Sequence, residues 1–186
     1  MPCPPSLLDP TPTEIPSLVT DVAVVGAGPA GAAAAWRAAL RGLRVVLMER
    51  RSAGAVWRAA GQEPWTDAGL PAHLAADAAR LWRQVEQATG AALLHAGGGV
   101  RRVRADQATA ALTAAATAWG AQLRHCDEVV AIDAGDGGAL VRTRAATVSA
   151  ARVVLACAGA LPTDPDAPVV TVSDRGSFAI PSLASP

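Results

Sequence analysis

The eight residues VVGAGPAG, Val24 to Gly31, constrain this chain more than any other stretch. Gly26 permits a tight turn out of a strand. Gly28 has no Cβ, so a ligand can approach its backbone closely. Gly31 lets a helix settle tightly on a sheet. Pro29 suits the first helical turn, where its missing amide hydrogen costs nothing. Such a turn places free amides at the positive end of a helix, where a diphosphate is stabilised. Gly26, Ala27, Gly28, Pro29, Ala30 and Gly31 are therefore candidate ligand contacts.

The surroundings of this loop decide whether the pattern means anything. The apolar run 21–25, with three valines, reads as a buried strand. Residues 29–41 read as a helix stopped by Gly42, and 44–48 as a second buried strand. Strand, helix and strand within about thirty residues form a βαβ unit and imply a parallel sheet. Ala35 and Gly42 are small where the helix must lie on that sheet. Glu49 ends the second strand, 18 residues after Gly31. A carboxylate there can accept both hydroxyls of an adenosine ribose and would repel a 2′-phosphate. NADP is disfavoured; FAD and NAD both fit the loop.

Composition narrows the partners. The formal net charge is zero, which argues against nucleic acid or an anionic membrane as partner. No apolar run reaches the roughly 18 residues of a membrane span. The first residues carry neither a basic segment nor an apolar one, as a secretory signal would. Cys3, Cys126 and Cys157 lack metal or disulfide spacing, and a cytoplasmic setting is expected. No metal site is expected either.

Along the rest of the chain, residues 1–19 hold six prolines and read as a flexible leader. Residues 71–89 read as a helix with Leu74, Ala78, Leu81, Trp82 and Val85 on its inner stripe. A further helix opens at Asp106, with Ala108, Leu112, Ala115 and Trp119 on one face. Trp82 and Trp119 are expected in the core. Residues 121–126, 128–133, 139–144 and 152–157 are strand-like, and GDGG at 135–138 signals a hairpin. Residues 161–186 read as a proline-rich tail with one β-like run at 169–172.

Residues 21–50, DVAVVGAGPAGAAAAWRAALRGLRVVLMER, resemble the N-terminal FAD-binding segment of the glutathione-reductase-like flavoproteins. Residues 65–90, WTDAGLPAHLAADAARLWRQVEQATG, look like the helix region of the D-amino-acid oxidase superfamily, close to sarcosine and N-methyl-amino-acid oxidases. The block RADQATAALTAAATAWGAQLRHCDEVVAID, followed by VVLACAGA, is similar to that superfamily's return to the cofactor domain. The resemblance covers residues 21–160. It implies an α/β fold: a Rossmann-like FAD-binding domain at 20–160, its parallel sheet joined by a β-hairpin crossover. Within it, 50–105 would hold a reduced remnant of a substrate domain. The resemblance also implies that the backbone at Glu128-Val129 meets the adenine. It places Gly159, Arg50 and, after Ser52-Ala53-Gly54, Arg58 near the cofactor.

The function implied is FAD-dependent oxidation of a C–N bond in a small amine or amino acid. Relatives are much longer, and they typically place near the flavin a lysine, a residue this chain does not contain. Two alternatives stand beside the oxidase. One is a truncated, non-catalytic FAD-binding module, or half of a split enzyme. The other is a flavin-dependent hydroxylase or reductase. No catalytic base is assigned: His73 and His95 read as surface residues and Cys157 as a packed thiol. Exposed apolar surface would favour a dimer or a partner subunit.

Overall fold

A computed structural model describes residues 16–52, 65–135, 137–157 and 169–171. Strand β1 (Ser17–Val25) is the centre of the molecule. It starts within the segment expected to be a leader, because its first residues pair with Thr147–Ala150. Val22 to Val25 are all buried, as befits a parallel strand covered on both faces. The chain then turns into α1 (Pro29–Ala39), with Pro29 in its first turn. Strand β2 (Val45–Glu49) follows, buried along its whole length and parallel to β1. The alanines of α1 favour helix and add little bulk. Ala32, Ala35, Trp36 and Ala39 face inward. Ala35 lies against the sheet as expected. Gly42 does not: it is exposed, with open space around it, and serves only to end the helix.

A small antiparallel sheet comes next. It is made of β3 (Trp65–Thr66), β4 (Leu94–Gly97) and β5 (Val100–Val103), in the order β3-β5-β4. Helix α2 (Ala72–Thr89) links β3 to β4. Its inner stripe is not the one expected. Ala75, Ala79 and Val85 are buried, while Ala78 and Trp82 are half-buried. Leu74 and Leu81 are 47% and 45% exposed. The helix is turned by about one position, so that its small alanines allow a close approach to α3 (Ala105–Ala118). Hydrophobic periodicity weights bulk and so favours the leucines.

Strand β6 (Gln122–His125) follows α3 and extends the parallel sheet beyond β2. Trp119, expected in the core, is 57% exposed. The helix ends at Ala118, and the chain turns through Gly120 into β6, so Trp119 leaves the inward stripe. Strands β7 (Val129–Gly135) and β8 (Gly138–Thr143) form the hairpin that GDGG predicts, and β9 (Thr147–Leu155) returns parallel to β1. The edge of β9 away from β1 has two partners. Its first half pairs antiparallel with β8, its second half parallel with β10 (Val169–Thr171). The order is β6-β2-β1-β9-β8-β7, with β10 beside β9. The fold is therefore the α/β cofactor-domain architecture expected, hairpin crossover included.

Two cores flank the sheet. Helices α1, α2 and α3 close one face over Val22, Val24, Val45 and Leu47. On the other face Ala23, Val25, Val46 and Met48 meet Val129, Ile132, Val141 and Val148 of β7–β9. The hairpin region therefore covers the face opposite the described helices. One cysteine departs from expectation, since Cys126 is disulfide-bonded. Among the described residues, no helix is long and apolar enough to cross a membrane.

Leu112 is fully buried beneath α1 and α2 whereas Trp119 is not. Leu112→Ala should cost about 2–5 kcal/mol, and Trp119→Ala should stay within about 0.5 kcal/mol. Urea midpoints at constant slope check both. A second expectation concerns acid. The Arg101 main-chain N–H, and then its guanidinium, hold the Asp67 carboxyl below its usual range. This lowered group stabilises the fold fully above the ordinary carboxylate pKa of about 3.9. The contribution fades as pH falls through the lowered value. Asp67→Asn should remove that part of the acid-limb slope in melts taken between neutral pH and the onset of acid unfolding.

Candidate cofactor site

The β1–α1 turn is held from both sides. Gly26 N–H donates to Met48 O of β2, and Ala156 N–H, just past β9, donates to Val25 O, each at 2.8 Å. Gly26 has φ +99°, and a Cβ on it would lie 2.6 Å from Ala156 O. A Cβ on Gly31 would lie 1.8 Å from Gly26 O. Both positions are closed to any larger residue by backbone, not by flexible side chains. Gly28 differs: it is buried, yet none of the described residues has an atom within 4 Å of where its Cβ would be. Its backbone is extended, and its carbonyl accepts the Ala32 N–H at 2.8 Å. Packing among the described residues explains two of the three glycines and not the third.

The start of α1 carries no acidic residue in its first turn and no side-chain cap. Its free amides are worth roughly half a positive charge, which no side chain of the helix itself offsets. Pro29 and Ala30 are half-buried at this mouth.

Glu49, the last residue of β2, is 7% exposed. Its Oε2 accepts the Ala27 N–H at 3.0 Å, and its Oε1 accepts the Arg51 N–H at 2.9 Å. Its main-chain carbonyl accepts the Asp127 N–H at 3.0 Å, and Arg51 O accepts the Cys126 N–H at 3.1 Å. The β6–β7 connection is thereby laid across the end of β2. Val129 opens β7 from there and is buried; Arg50 is exposed beside Glu49. The loop from Gly26 to Gly31, Glu49, Arg50 and Val129 thus gather at the carboxyl end of the parallel strands. In open α/β sheets, that is where ligands bind. Arg58 and Gly159 lie outside the described residues.

Two residues at this end carry no signal in the sequence reading. Asp127 is buried, and its Oδ2 accepts from Arg124 Nε. Its Oδ1 has no hydrogen-bond partner among the described residues. Opposite charges three apart at a strand end give the only hint, and that hint needs β6 already placed beside Glu49. His73 and His95 are exposed, as expected. Cys157 lies just beyond β9, half-buried against the hairpin-side core.

Residues 21–107 match the model of a family described as DAO, FAD dependent oxidoreductase. No curated protein matches the chain. Among solved structures it is similar to NikD, an unusual amino acid oxidase essential for nikkomycin biosynthesis. Identity is 23% and the TM-score 0.65, over 75% of this chain and 51% of NikD. Glycine oxidase from Geobacillus kaustophilus is 19% identical with a TM-score of 0.62, over 89% of this chain and 69% of that one. OxyS anhydrotetracycline hydroxylase from Streptomyces rimosus is 22% identical with a TM-score of 0.60, over 76% and 32%. These likenesses establish the fold. This chain spans about half the length of NikD.

The glycines give a paired expectation. Gly31→Ala forces a clash with backbone and should cost at least about 1–3 kcal/mol. Gly28→Ala meets no atom of the described residues and should change stability by less than about 0.5 kcal/mol. Denaturant titration of the two variants side by side tests the contrast; equal losses would contradict it.

Proposed function

We propose that this chain, whose residues 21–107 match the DAO family of FAD-dependent oxidoreductases, holds the ADP half of FAD at the β1–α1 turn. The observation that carries this is a set of uncapped helix amides beside a buried carboxylate, at a glycine whose Cβ would meet no atom of the described residues. A diphosphate would lie over Gly28 and take hydrogen bonds from the amides of Ala30 and Gly31. A carboxylate has about four acceptor sites, and two on Glu49 are filled by main-chain N–H groups. The other two suit the paired hydroxyls of a ribose, and their charge disfavours a 2′-phosphate. The Val129 backbone would meet the adenine, and Arg50 would lie near the ribose. Arg58 and Gly159 are proposed for the flavin half.

The reaction proposed is oxidation of a C–N bond in a small amine or amino acid. FAD would supply the acceptor for the hydride leaving carbon. The family match and the fold shared with NikD and glycine oxidase support this class. A second reading is an FAD-binding module or one half of a split enzyme. The likeness to OxyS keeps a hydroxylase or reductase as a third.

The visible spectrum of the purified chain, after FAD is added and the excess removed, tests cofactor binding. A retained flavin band is expected, and Gly28→Ala should weaken retention at unchanged stability. Bleaching by sarcosine, N-methyl or D-amino acids would establish the oxidase class. Bleaching only by NAD(P)H would establish the third reading. Bleaching only with a co-purified partner would establish the second. A colourless protein would overturn the FAD assignment.

A further inference from the structure

We propose that Glu49 is the latch that builds the nucleotide loop before any cofactor arrives, in addition to receiving the ribose. The carboxylate is buried, and main-chain donors engage both its oxygens. The Ala27 N–H comes from the middle of the loop, and the Arg51 N–H from the turn leaving β2. The same residue's carbonyl secures Asp127, and with it the approach to Val129. One side chain and its own peptide therefore tie together three segments that are distant in sequence.

A carboxylate whose only task was ribose recognition would have no need of these bonds. Ala27 is 2% exposed, so its N–H has no water to fall back on if Glu49 is lost. The geometry also lets both roles coexist. Each oxygen receives one main-chain N–H and keeps one further acceptor position. A ribose can bind without displacing the latch, and the loop need not be ordered at the moment of binding. Glu49 is thus a positioning residue for the diphosphate loop. The consequence for cofactor affinity rests on the FAD reading above; the latch itself does not.

The test uses the full chain free of flavin, with amide hydrogen exchange resolved at single residues. In Glu49→Gln one acceptor becomes an NH2 group facing an N–H donor, so at least one of the amides of Ala27 and Arg51 should exchange faster. In Glu49→Ala both should, on the order of tenfold or more. The amides of Val24 and Leu47 should keep their protection and so report an intact sheet. If Glu49→Ala fails to fold, Glu49→Gln alone decides. Exchange at Ala27 and Arg51 unchanged in a folded variant overturns the latch, even where FAD affinity falls. FAD titration of the same samples separates the two ideas: a wild-type chain that exchanges as expected but takes up no FAD overturns the cofactor reading and leaves the latch standing.

Discussion

The fold depends on one contact, the approach of α1 to the carbonyl of Gly26. With any side chain at position 31 the helix would have to lift away from the sheet, since a Cβ there would come within 1.8 Å of that oxygen. Held down, the helix presents its alanines to β1 and β2 and points its free amides at the carboxyl end of the strands. The alanine content of α1 and α3 follows the same logic, because small side chains allow close helix packing on both the sheet and each other. What looks like compositional bias is also what the spacing between these elements requires.

The second face of the sheet raises a different problem. A parallel sheet must be covered on both sides, and the described helices all lie on one. The chain closes the other with β7, β8 and the first half of β9, using Val129, Ile132, Val141 and Val148. Strand β9 makes this possible by its length. It serves the hairpin with one half and the parallel sheet with the other. The crossover is therefore both a connection and a cover.

At the site, electrostatics and packing are linked through Glu49. A buried carboxylate needs hydrogen-bond donors, and here the backbone supplies them from two segments. The same carboxylate ties the loop that precedes the uncapped amides of α1 to the end of β2. Among the described residues, no atom lies within 4 Å of where a Cβ on Gly28 would be.

Much of this was set by the sequence alone. The βαβ unit, the packing roles of Gly26 and Gly31, Glu49 at the end of β2 and the GDGG hairpin are local features. Each depends on residues a few positions apart, where sterics and periodicity act directly. Tertiary structure decided the rest. It turned α2 so that Ala75 and Ala79 face inward rather than Leu74 and Leu81, because close packing against α3 favours small side chains over large ones. It left Trp119 exposed, because the chain had to turn into β6. It placed Asp127 against Glu49 and Val129 at the site, because strand pairing brings the end of β6 beside the end of β2. Those outcomes rest on contacts between segments distant along the chain, and no local pattern of residues encodes which distant backbone will lie alongside.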